Sequence, residues 1–167
     1  MRNFILGLLC LTCWGFYSPA CWAQVRPAIQ KLARAIAADS TVDAERVGRG
    51  GVETEQYRRY KQLLALATDA ELLTLTDHRS PAVRCYAYQS LCQRNSLSVL
   101  STLRKHECDT TMIKARVGCF GLYMPVIVSM KQDFEAWQKK QPQPLAAADT
   151  LLLSRIDQAD YERRKAT

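Results

Sequence analysis

A chain of 167 residues with 48% hydrophobic composition is long enough to bury one sizeable core and too apolar to be disordered throughout. Its formal charge of +7 is spread in small groups (Arg58, Arg59 and Lys61; Arg104 and Lys105; Lys139 and Lys140; Arg163 to Lys165) instead of the single stripe that a nucleic-acid reader presents. That scatter argues against nucleic acid and reads first as a solvated basic surface, with an anionic lipid, a cell-wall polymer or an acidic protein as the partners it would suit.

Residues 1–23 read as a secretory signal peptide. Met1 and Arg2 supply positive charge, Phe4 to Phe16 is a nearly unbroken apolar run, and small residues lead to Cys21-Trp22-Ala23. The run is shorter than the roughly 20 residues that a spanning helix needs. The expected location is therefore periplasmic or extracellular, with a mature chain beginning near Gln24. Cys21, after Ser18-Pro19-Ala20, offers a lipoprotein alternative, although the leucine usual three residues before a lipidated cysteine is missing. Removing residues 1–23 takes only Arg2 from the charged set.

Residues 24–52 are expected to hold one amphipathic helix, with Ile29, Leu32, Ala33 and Ile36 on its apolar face, and a Gly-rich linker at Val47 to Gly51. A helical domain over 53–140 follows. Tyr57, Tyr60, Leu63, Leu64 and Ala67 share one helix face, and a short helix capped by Asp69 carries Leu72, Leu73 and Leu75. Ser80-Pro81 opens a third helix, in which serine accepts a first-turn N–H and proline sits at the first position. Its apolar arc of Val83, Cys85, Ala87, Tyr88, Leu91 and Cys92 has Arg84 in the middle, with Asp77 as the expected partner of the guanidinium. A further helix capped by Ser96 would turn Leu97, Leu100 and Leu103 inward.

Ile113, Ala115, Val117 and Cys119 alternate with Lys114, Arg116 and Gly118, the period of a half-buried strand, so an extended segment or hairpin is expected near 110–122. The helical period resumes from Pro125 through Met130, Phe134 and Trp137. Residues 141–167 are read as a Pro-containing linker and a last helix packed on the same domain, with Leu152, Leu153, Ile156 and Ala159 toward the body.

Asp77-His78-Arg79-Ser80-Pro81-Ala82-Val83-Arg84, followed by Ala87 and Leu91, resembles the turn and second helix of a HEAT repeat of the short phycobilisome-lyase type. A degenerate copy lies 28 residues on, where Leu72, Thr74, Leu75, His78 and Ala87 recur as Leu100, Thr102, Leu103, His106 and Ala115. The resemblance covers residues 69–107. It implies structural roles for Asp77 and Arg84 and a mainly α fold, either a short HEAT-like solenoid or an irregular helical bundle. The chain is also similar to uncharacterised exported HEAT-like proteins with an Asp-Thr segment and a Gly-Cys pair after the repeat, here Asp109-Thr110 and Gly118-Cys119.

Of the seven cysteines, Cys85, Cys92, Cys108 and Cys119 lie beyond the signal segment. Cys85 and Cys92 are too far apart along one helix to bridge and read as small core residues. Cys108 and Cys119 flank the extended segment, and an oxidising compartment makes a disulfide between them the expectation. The rival is a thiol hydrolase, redox or metal-dependent envelope enzyme built on Cys108 and His106, with His78 as a further metal ligand. His78 and His106, at matching helix ends, read first as caps on terminal carbonyls, with the imidazolium favoured by the helix dipole. No catalytic, cofactor or metal constellation is assigned. The reading is an exported helical protein-interaction or scaffold domain, with Asp77, Arg84, Cys108 and Cys119 as structural residues.

Overall fold

The computed structural model describes residues 25–166, so the signal-peptide and Cys21 readings lie outside the described residues. The fold is mainly α, with a small sheet. In chain order it runs α1 (Pro27–Asp39), β1 (Thr41–Val47), α2 (Glu55–Leu66), α3 (Asp69–Leu75), α4 (Pro81–Gln93), α5 (Val99–Lys105), β2 (Met112–Gly118), β3 (Phe120–Pro125), α6 (Val126–Gln138) and α7 (Ala147–Lys165).

α4 is the central helix. Residues 82 to 88 and 90 to 92 are all buried, and the helix packs against α1, α2, α3, α5 and α6 and both β1 and β2. Enclosure on every side explains why the expected apolar arc broadens to the whole circumference. Tyr86 stacks on Tyr60 of α2 at 4.7 Å between ring centroids. The Tyr86 hydroxyl accepts from Asp43 N at 2.6 Å and donates to Asp43 O at 3.2 Å, so a core side chain ties α4 to the backbone of β1.

The sheet has the order β1-β2-β3. β1 runs parallel to β2, with Thr41, Val42 and Asp43 opposite Lys114, Ala115 and Arg116, and helices α2 to α5 make the long crossover that a parallel pair requires. β1 was not anticipated: residues 24–52 contain a strand of the core sheet as well as a helix. The Gly-rich stretch is a tight turn behind it, closed by the Val47–Val52 bridge, with Gly48 and Gly51 at positive φ. Gln56, wholly buried at the start of α2, donates to Ile36 O and Thr41 O and clamps the passage from α1 into β1.

Local signals differ from expectation in three places. Thr68, not Asp69, caps α3, in a reciprocal capping box with Glu71. Arg26 grips the same Glu71 carboxylate through Nε and Nη2 at 2.8 Å each, and that guanidinium holds the carboxyl far below the usual range. α5 begins at Val99; Ser96 closes α4 instead, donating to Leu91 O behind Asn95 in the left-handed region, and Leu97 is left fully exposed. Ser80 stands at the N-cap of α4, but its side chain makes no cap hydrogen bond.

Candidate interaction surface

β2 and β3 form a hairpin in which Val117 pairs with Phe120, leaving the two-residue turn Gly118-Cys119. Gly118 has φ +53° and Cys119 does not share the positive φ, the requirement of a type II′ turn, whose first central position favours glycine. The Gly-Cys pair thus has a conformational reason. Ile113, Ala115 and Met124 sink the root of the hairpin into the core, while Val117, Phe120, Leu122 and Tyr123 toward its tip are exposed.

β3 is bonded to β2 along one side only, and its other edge has no strand partner among the described residues. The strand Phe-Gly-Leu-Tyr-Met-Pro carries no charge, whereas exposed edges are commonly guarded by lysine or another charge. Phe120 is 72% exposed and Tyr123 69%, so two aromatic rings flank an open row of backbone donors and acceptors. The chain matches no protein-family model, no curated protein and no solved structure.

Arg84 is buried within α4, but its carboxylate partner is Asp109, not Asp77. Nε lies 2.8 Å from Asp109 Oδ2, Nη2 donates to Oδ1 at 3.2 Å, and Nη1 donates to His78 O and Arg79 O. Asp77 lies at the end of α3 and turns to α5 instead, pairing with Lys105 and lying 3.4 Å from His106 Nε2. The turn after α3 leads Asp77 away from α4, while the loop before β2 folds Asp109 back onto it; nothing in local spacing encodes that return.

Cys108 and Cys119 carry free, exposed thiols. They stand at opposite ends of β2, whose seven residues extend for roughly 20 Å, well beyond the reach of a disulfide. The expected bridge is therefore replaced by two separate thiols, one before the strand and one at the hairpin tip. Cys85 and Cys92 are buried, and burial pushes both thiols up to about 12. A thiol reagent at pH 8 should accordingly titrate Cys108 and Cys119 at once in the folded protein and Cys85 and Cys92 only after denaturant is added. Rapid reaction of Cys85 or Cys92 in the native state would contradict their burial around α4.

His106 is buried against Asp77, and no hydrogen bond joins it to Cys108. Burial lowers the pKa of both His78 and His106, so the neutral imidazole is favoured where the helix dipole alone suggested the cation. His78 Nδ1 accepts from Ser80 N at 3.0 Å. Among the described residues no group of three or more His, Cys, Asp or Glu is placed to hold a metal ion, and no helix is long and apolar enough to cross a membrane.

Asp133 is a feature that sequence reading passed over. It lies on α6 beside Cys92 and Trp137, with no ion-pair partner among the described residues, and burial raises its carboxyl to about 7. Only the placement of α6 against α4 creates that environment.

Proposed function

We propose that this chain is an exported helical protein-interaction module that docks an extended segment of another envelope protein along the open edge of β3. The observation that carries the reading is the uncharged, unpaired edge strand bearing exposed Phe120, Leu122 and Tyr123. An added strand would complete the backbone hydrogen bonds of β3, and the aromatic rings would supply the side-chain contacts that select the partner. The core behind the hairpin holds the edge in place, since Ile113 and Met124 root it between the helices. Export rests on the pattern of residues 1–23. The HEAT-like reading of residues 69–107 draws on the packing of α3 against α4 across the Asp77 to Ser80 turn and extends no further, since β2 follows α5 where a second repeat would place a helix.

Photo-crosslinking in the native host tests the docking. A photoreactive residue at Phe120 or Tyr123 should give a discrete adduct with one other protein, and a third at Leu97, which is more exposed than either but lies outside the hairpin, should not. Phe120→Asp together with Tyr123→Asp should reduce the adduct from a probe at Leu122 at least about tenfold while leaving the melting temperature near that of the parent. Adducts between two copies of this chain would make the occupant a second copy. Hairpin probes reacting no more than the Leu97 probe would remove the edge strand as the interaction surface.

A further inference from the structure

A second surface, sharing no residue with the hairpin, has the chemistry of an anion site. A cleft of about 500 Å³ opens between α1 and the N-terminus of α4, lined by Arg34, Ala37, His78, Arg79, Ser80 and Pro81. A smaller lobe of about 290 Å³ continues from it past Ala33 and Leu75 and shares Arg34 and His78 with it. Neither lobe is lined by a carboxylate.

The guanidinium groups of Arg34 and Arg79 make no hydrogen bond or ion pair among the described residues. This sets them apart from Arg84, Arg104 and Arg116, each of which holds an aspartate. The α4 N-terminus that shares the cleft is uncapped: it has proline at the first position, no acidic residue in the first turn and no side-chain cap bond. Its positive dipole end is therefore not neutralised from within the chain.

Ser80 supplies the independent sign of a missing partner. The residue is 9% exposed and lines the cleft, yet its Oγ, ideally placed by sequence to cap the helix, is buried without any hydrogen bond. His78 adds a neutral donor. Its Nδ1 is occupied in accepting from Ser80 N, so the ring proton resides on Nε2, and burial together with the neighbouring Arg79 and Arg84 disfavours a second proton. Arg84 braces the whole turn from behind by donating to His78 O and Arg79 O.

We propose that this cleft binds a phosphomonoester, with its dianionic head between Arg34 and Arg79 at the start of α4 and its organic part along the smaller lobe. Two unpaired guanidinium groups match two negative charges, the imidazole N–H of His78 adds a donor, and the Ser80 hydroxyl, buried and unpartnered, adds another once its χ1 rotor turns toward the cleft. The volume suits a small organic phosphate. The same head group could reach the cleft on a soluble metabolite or on a lipid, and the two sources are separable by experiment.

Calorimetric titration of the full mature chain with inorganic phosphate and phenyl phosphate tests the site, alongside vesicles of phosphatidylcholine with and without phosphatidic acid. Saturable binding with a Kd below about 1 mM is expected for phenyl phosphate, tighter than for inorganic phosphate because the smaller lobe is then filled. Arg34→Gln with Arg79→Gln should weaken it at least about tenfold, Ser80→Ala by a smaller factor, and Lys139→Gln, an exposed basic residue elsewhere, hardly at all. Amide shifts on phosphate addition should concentrate at residues 34–40 and 78–83, a readout that a merely destabilised variant would not reproduce. Binding to phosphatidic acid vesicles that is lost in the double variant would assign the ligand to a lipid head group; binding of phenyl phosphate alone would assign it to a soluble ester. Absence of saturable binding by either small phosphate, or equal weakening by Lys139→Gln, would overturn the proposal. The hairpin double variant should bind phenyl phosphate like the parent, so failure of the docking surface and failure of the cleft are told apart.

Discussion

Arg84→Ala is expected to destabilise the folded chain by about 3 kcal/mol, read as a fall in the urea midpoint and a drop in melting temperature of roughly 6–12 °C. The guanidinium is 11% exposed and the Asp109 carboxylate 15%, so neither charge is free to rehydrate fully when its partner is removed. Alanine at position 84 strands the Asp109 carboxylate and also releases His78 O and Arg79 O, two carbonyls that the same guanidinium satisfies. Arg84→Lys keeps the charge but has no planar fork to serve three acceptors, and should recover only part of the loss. Asp109→Ala leaves a buried cation and should cost a similar amount. In the double variant the ion-pair component is absent from both sides, so its cost should fall well short of the sum. A midpoint for Arg84→Ala within about 0.5 kcal/mol of the parent would mean that this pair is not part of the folded core.

Asp43→Ala is the second large effect, about 2–3 kcal/mol, concentrated at the junction of β1 and β2. The Asp43 side chain is wholly buried, and its carboxylate accepts from Arg116 Nε and Nη2 at 2.6 Å each and from Thr54 Oγ1 at 2.6 Å. These bonds lie across the parallel pair in which Asp43 opposes Arg116, so they hold β1 in register where main-chain pairing becomes irregular beyond Asp43. Arg116 is 33% exposed and can take up water when the carboxylate goes, which keeps the cost below that of stranding a buried charge. Thr54→Ala removes one of the three bonds and also the N-cap bond that Thr54 Oγ1 accepts from Tyr57 N at the start of α2, and should cost about 2 kcal/mol. Hydrogen exchange reads the location: amides of β1 should lose protection in Asp43→Ala before those of α4. Uniform loss across the chain, or none, would contradict a register role for Asp43.

Periodicity, together with start signals such as Ser80-Pro81, makes the described helices visible. Ile29, Ala33 and Ile36 on α1, Tyr60 and Leu63 on α2, and Leu152 and Ile156 on α7 are apolar at helical spacing and are buried in the structure. Ile113 and Ala115 show the period of two that β2 keeps, and Pro81 marks the first turn of α4. These features are local: spacing along the chain decides which side chains share a face, and burial of that face follows wherever the element docks.

Tertiary structure decided the pairings. Thr41 to Val47 holds a short mixed run that local pattern reads as the approach to a linker, and it is a strand only because β2, some 70 residues later, offers it a parallel edge. Asp109 displaces Asp77 as the partner of Arg84 because the chain returns to α4 after α5, and Cys108 and Cys119 stand apart because the strand between them runs straight. The cleft at Arg34, Arg79 and Ser80 likewise joins α1 to the start of α4 across more than forty residues of chain. Sequence spacing determines what a residue can do within its own helix or strand; which charge it meets, which edge stays open and which hydroxyl lacks a partner depend on how distant segments close on one another, where burial of the whole core outweighs any local preference.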